Sequence, residues 1–132
     1  MQEELITFET AKLAKEKKFN IPCENFYIEY IDDDVADLFN YEEQRGSGYA
    51  ELYRNNQEFK YSASTQSLLQ KWLREVHDIH IEIHNLSIKW WFNLKEIDSN
   101  NSAMFISDNY DSYEEALEIG LQEALKLIPN KK

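Results

Sequence analysis

Cysteine, proline and glycine are scarce in this sequence: one, two and three among 132 residues. A lone Cys23 excludes an intrachain disulfide and makes a reducing, cytosolic setting the expectation. Two of the glycines sit in Gly46-Ser-Gly48 with no lysine after them, which excludes a phosphate-cradling loop. No apolar run reaches the ~18 residues that a membrane span requires. The first residues are acidic and lack the apolar segment of a signal peptide. Basic residues are few, 14 against 25 acidic ones, for a net charge of −11. Nucleic-acid affinity comes mainly from lysine and arginine neutralising phosphates, so direct DNA or RNA binding is not expected. The patterns Gly-x-Ser-x-Gly, His-Glu-x-x-His and Cys-x-x-Cys and the calcium-loop pattern Asp-x-Asp-x-Asp-Gly are all missing. No catalytic residue, no cofactor and no metal is therefore assigned.

Apolar and aromatic residues are plentiful, 42% and 14%, which argues for a packed core rather than disorder. The length fits one domain, residues 1–132. The core is expected around residues 63–83. Leu68, Leu69, Trp72, Leu73 and Val76 follow a helical period, with Lys71, Arg74 and Glu75 opposite. From Ile79 the period becomes two: Ile79, Ile81 and Ile83 point one way, and His80, Glu82 and His84 the other.

The first helix is expected over about 8–18, with Thr7 as N-cap, Ile6 packing on Ala11, and Pro22 closing the segment. Residues 24–31 alternate as a strand. A short helix capped by Asp34 is expected over 35–41, and a hairpin over 49–61 with Asn55-Asn56 as its turn. The window 24–58 holds ten acidic and two basic residues, most of the excess charge. A second hairpin pairs 79–84 with 88–96 across an Asn85-Leu86 turn. That places Ile79 opposite Phe92, Ile81 opposite Trp90 and Ile83 opposite Ile88. On the other face it places Glu82 opposite Lys89 and His80 opposite Trp91. A strand is expected within 103–106. The last helix, about 113–128, opens on the capping box Ser112 to Glu115. Its stripe Tyr113, Ala116, Leu117, Gly120, Leu121, Ala124, Leu125 and Ile128 is apolar, with Glu118 among its solvated residues. Gly120 on the buried stripe points to close approach by a neighbouring element.

Ser64-Thr-Gln-Ser-Leu-Leu-Gln-Lys-Trp-Leu-Arg-Glu75 and Tyr113-Glu-Glu-Ala-Leu-Glu-Ile-Gly-Leu-Gln-Glu-Ala-Leu-Lys-Leu-Ile128 together resemble small uncharacterised proteins of bacteriophages and of prophage regions of gut bacteria. The opening Thr7-Phe-Glu-Thr-Ala-Lys-Leu-Ala-Lys-Glu-Lys17, followed by Pro22-Cys23, is similar to theirs as well. Such proteins often carry Pro at the position of Ser64 and Gly near Lys18. The acidic stretch 32–62 has no counterpart and reads as a member-specific insertion. The resemblance implies phage ancestry and an α+β domain, and no catalytic activity.

The chain is thus expected to be α+β. It should have a mainly antiparallel sheet of about five strands, two main helices (about 65–76 and 113–128) on one face, and an N-terminal helix. His80, Glu82 and His84 invite a zinc reading. However, residues two apart on a strand sit about 7 Å apart, too far for their donors to converge on one ion. Cys23 reads as a small buried residue. If helices cover one face of the sheet, the face with Trp91 is exposed, covered by 32–62, or covered by a partner. Trp91, His80, Glu82, Lys89 and Tyr27 form the candidate interaction surface. The expected function is an acidic interaction module in the cytoplasm of a bacterial host, binding a protein partner or a second copy. The alternatives are an enzyme or ligand-binding protein with an unrecognised site, and an acidic nucleic-acid mimic inhibiting a basic host protein.

Overall fold

The structure is a computed structural model and describes residues 4–29, 36–40, 55, 60–96 and 105–128. The fold is α+β; the described residues form three helices and two antiparallel three-stranded sheets rather than one sheet of about five strands. The chain divides into two compact units, one of Leu5–Thr65 and one of Met1–Glu4 with Gln66–Lys132.

In the Leu5–Thr65 unit, α1 (Phe8–Glu16) begins at Thr7, whose hydroxyl accepts from the Thr10 amide. It stops at Lys18, which has φ 72°. The Phe19 amide donates to the Ala14 carbonyl and the Lys18 amide to the Lys15 carbonyl. These two bonds are a Schellman motif with Lys18 in the place usually held by glycine. Ile6, Ala11, Ala14 and Phe19 are buried. Strand β1 (Asn25–Glu29) is central, flanked by β2 (Ala36–Asn40) and β3 (Lys60–Ser62). Residues 36–40 are therefore a strand, not the expected short helix. Five residues are too few for a helix to offset its nucleation cost, and pairing along the whole of β1 decides the outcome. The expected hairpin over 49–61 lies mostly outside the described residues. Its turn residue Asn55 does take φ 64°, and it accepts from the Ser62 amide.

In the other unit, α2 (Gln66–His77) buries Leu69, Trp72 and Leu73 and leaves Val76 exposed, contrary to the expected stripe. One residue, Asp78 at φ 55°, joins α2 to β4 (Ile79–Leu86). Strand β4 pairs with β5 (Lys89–Glu96), and β5 with β6 (Phe105–Ile106). Helix α3 (Tyr113–Leu127) starts at Ser112, whose hydroxyl accepts from the Glu115 amide. A Cβ on Gly120 would lie 3.0 Å from Ile81 Cγ2 and 3.4 Å from the Phe92 ring, the close approach that the sequence anticipates. Glu118 is buried rather than solvated, and Tyr113 is exposed rather than buried. The carboxylate of Glu118 accepts from the buried Gln66 side chain, which also donates to the Glu114 carbonyl. Glutamine at the start of α2 thus supplies the donor that a buried carboxylate requires.

The β4–β5 register is displaced by four residues from the expected one. Ile79 pairs with Glu96, Ile81 with Leu94 and Ile83 with Phe92. Glu82 faces Asn93 instead of Lys89, and His80 faces Lys95 instead of Trp91. The turn is Ser87 and Ile88, and Asn85 is the residue that braces it, donating to the Ser87 and Lys89 carbonyls. An even displacement preserves the alternation, so each side chain keeps its expected face.

Candidate functional site

The face of the β4–β5–β6 sheet opposite to Ile81 and Phe92 carries His80, Glu82, His84 and Leu86 from β4. Lys89, Trp91, Asn93 and Lys95 come from β5, and Ile106 from β6. Its centre is polar and ordered. Asn93, 6% exposed, donates through Nδ2 to Glu82 Oε1 at 2.8 Å. Its Oδ1 lies 2.7 Å from His84 Nε2. A carboxylate oxygen accepts, so the Asn93 amide nitrogen is the donor on that side and its carbonyl faces the imidazole. Nε2 of His84 therefore carries the proton and Nδ1 is the basic nitrogen. The imidazole stacks on Trp91, with ring centroids 4.2 Å apart and planes 21° from parallel.

Around this centre the face mixes apolar side chains with His80, Lys89 and Lys95. Leu86 is 64% exposed and Ile106 62%, while Trp91 is half-buried. Lys89 pairs with Asp111, which raises the lysine pKa and lowers that of the aspartate through their hydrogen bond. Of the five residues expected to form one surface, Trp91, His80, Glu82 and Lys89 share this face. Tyr27 does not: it lies in β1, in the other sheet, where its hydroxyl donates to the Ile6 carbonyl at 2.7 Å and its ring packs against Phe8. A tyrosine hydroxyl with a carbonyl in reach is held as part of that unit's own packing.

Sequence reasoning missed Asn93, the residue that organises the site, and the exposed Leu86 and Ile106. Asn93 had a visible signal, being the one polar residue within Trp90-Trp91-Phe92-Asn93-Leu94. Leu86 was hidden by its placement in the turn. Among the described residues no group of three His, Cys, Asp or Glu side chains is arranged to hold a metal ion. Glu82 and His84 are both turned to Asn93 instead. Cys23 is buried, and burial pushes its thiol up to about 11 against a smaller opposing effect of a hydrogen bond with Ser62. A thiol held protonated is a poor nucleophile. Among the described residues no helix is long and apolar enough to cross a membrane. Comparison of the chain with family models, with curated proteins and with solved structures gives no match.

Proposed function

We propose that the chain is a small acidic protein–protein interaction module of phage type, acting in the cytoplasm of a bacterial host cell. Its contact surface is the outer face of the β4–β5–β6 sheet. The observation that carries this reading is the orientation of Trp91, laid flat on a histidine that Asn93 and Glu82 hold in place. Tryptophan is the side chain most enriched among residues that dominate binding energy. A rotamer fixed before association loses less entropy on binding. Exposed Leu86 and Ile106 on the same face extend the apolar area, and such patches mark interaction sites. In this reading α2 and α3 cover the opposite face.

The test is Trp91→Ala, followed by a thermal melt, sedimentation, and affinity capture from host lysate with and without infection. The expected result is a melting temperature close to that of the parent chain together with loss of association. Unchanged association would overturn the reading. A second reading, a ligand-binding or catalytic site, draws on the basic Nδ1 of His84. It predicts that His84→Gln abolishes ligand binding while Trp91→Phe preserves it.

A further inference from the structure

The β4–β5 hairpin departs from the rule by which tight turns are built. Two-residue hairpin loops favour Asn, Asp and Gly, which accept left-handed backbone and face water. Here Ser87 takes the left-handed position at φ 60°, and Ile88 stands at the tip, 81% exposed. Leu86, which precedes them, is exposed as well. Burying such a side chain is favourable, and the fold of this unit does not collect that gain. Positions that break a local folding rule without a structural gain are where function is expected.

An aromatic pair and an acidic rim lie at the same end of the hairpin. Trp90 meets Tyr113 edge to face, with centroids 5.6 Å apart and planes at 90°. The backbones of Trp90 and Tyr110 exchange two hydrogen bonds, which hold the loop between β6 and α3 against this end of the hairpin. That loop and the first turn of α3 expose Asp108, Asp111, Glu114 and Glu115. Asp108, Glu123 and Glu115 lie near enough to Tyr110 to raise its phenol pKa, after the larger effect of burial. Among the described residues Lys89 is bound to Asp111, with Glu115 also near enough to act on it, and Lys126 to Glu123, so two lysines face five carboxylates.

We propose that the hairpin tip, Leu86 and Ile88, with the rim of Asp108, Glu114 and Glu115 on the adjoining loop and helix start, docks a basic segment of a partner protein that carries an apolar anchor. The apolar tip supplies contact area, and the excess of carboxylates over lysines selects the sign of the partner. The net charge of −11 acts the same way at longer range, steering cationic chains toward the protein. Nucleic acid and anionic lipid are repelled by this rim. The proposal rests on the reading of the chain as an interaction module and adds to it the chemical class of the partner.

The experiment titrates the isotopically labelled full chain with three short synthetic peptides of equal length: one alternating lysine and leucine, one alternating glutamate and leucine, and one of lysine alone. The lysine–leucine peptide should shift the amides of residues 86–90 and 108–115 and bind more weakly as salt is raised. Ile88→Ser should weaken it about tenfold, the loss expected of a central contact residue. Asp108→Asn with Glu114→Gln and Glu115→Gln should weaken it and reduce the salt dependence. The other two peptides should bind less well. Absence of binding, equal binding of the glutamate–leucine peptide, shifts mapped elsewhere, or indifference to Ile88→Ser would each overturn the proposal. If capture of a natural partner depends on Trp91 while the lysine–leucine peptide ignores the tip, this inference fails and the interaction module stands.

Discussion

The imidazole of His84 lies nearly parallel to the indole of Trp91, with its Nε2 turned to the buried amide of Asn93. The ring is held on one face by stacking and at one nitrogen by a hydrogen bond. This fixes which nitrogen is protonated. Nitrogen-detected NMR of the neutral imidazole should show the Nε2–H tautomer, and the Nδ1–H form would contradict the assigned orientation of Asn93. Asn93→Ala removes the link to both His84 and Glu82 and should cost about 0.5–1.5 kcal/mol, the net contribution of a hydrogen bond whose remaining partners reach water. Urea denaturation measures it.

Gly120 sits tightly against the sheet. A Cβ there meets Ile81 Cγ2 at 3.0 Å, so the buried Ile81 and Phe92 would have to give by a few tenths of an ångström. Alanine gains about 1 kcal/mol of helix propensity. Overpacking costs about 1–3 kcal/mol. Gly120→Ala should therefore lower the urea midpoint, and a raised midpoint would show that α3 and the sheet can separate slightly.

Lys18 holds the left-handed position of a Schellman motif at φ 72°. A side chain with a Cβ is disfavoured there, and glycine is the residue that the motif prefers. Lys18→Gly should stabilise the chain by about 0.5–1 kcal/mol, read as a higher melting temperature. A lower one would mean that the lysine makes a contact worth more than the strain.

Cys23 gives the fold a definite alkaline limit. Its thiol titrates at 9.0 when unburied and at about 11 in the fold, chiefly through desolvation. The unfolded chain releases this proton first. The stabilising contribution is therefore fully present below pH 9.0 and is lost as pH rises toward about 11. Between those values the parent chain should lose more stability than Cys23→Ala, measured as denaturant midpoints at each pH. Parallel curves would refute burial of the thiol.

Much of the fold was legible because it rests on local chemistry. Thr7 and Ser112 cap α1 and α3 as their hydroxyls suggest, and Gly120 reports its crowded neighbour before any coordinates are known. What failed was non-local. The helix expected at 35–41 gave way to pairing with β1, a partner whose identity is not written in residues 36–40. The β4–β5 turn was misplaced because Asn85-Leu86 carries the stronger turn signal, whereas the chain turns at Ser87 and Ile88 and uses Asn85 as a brace. For the same reason the expected pairings on the outer face differ from those observed, although His80, Glu82, Lys89 and Trp91 do share that face and Tyr27 does not. Asn93 was passed over because one polar residue in an apolar strand has no meaning until its neighbours Glu82 and His84 are placed beside it. Tyr27 was grouped with Trp91 because a single sheet was assumed.

The passage from α2 to β4 through Asp78 alone leaves no slack in the chain. The Gln70 side chain adds a hydrogen bond to the Ile81 carbonyl, fastening the helix to the strand that follows it. Helix and strand therefore cannot open separately: unwinding the last turn of α2 pulls on Ile79, and peeling β4 away pulls on His77. Their backbone amides should show one common opening free energy in hydrogen exchange, that of a single cooperative unfolding event.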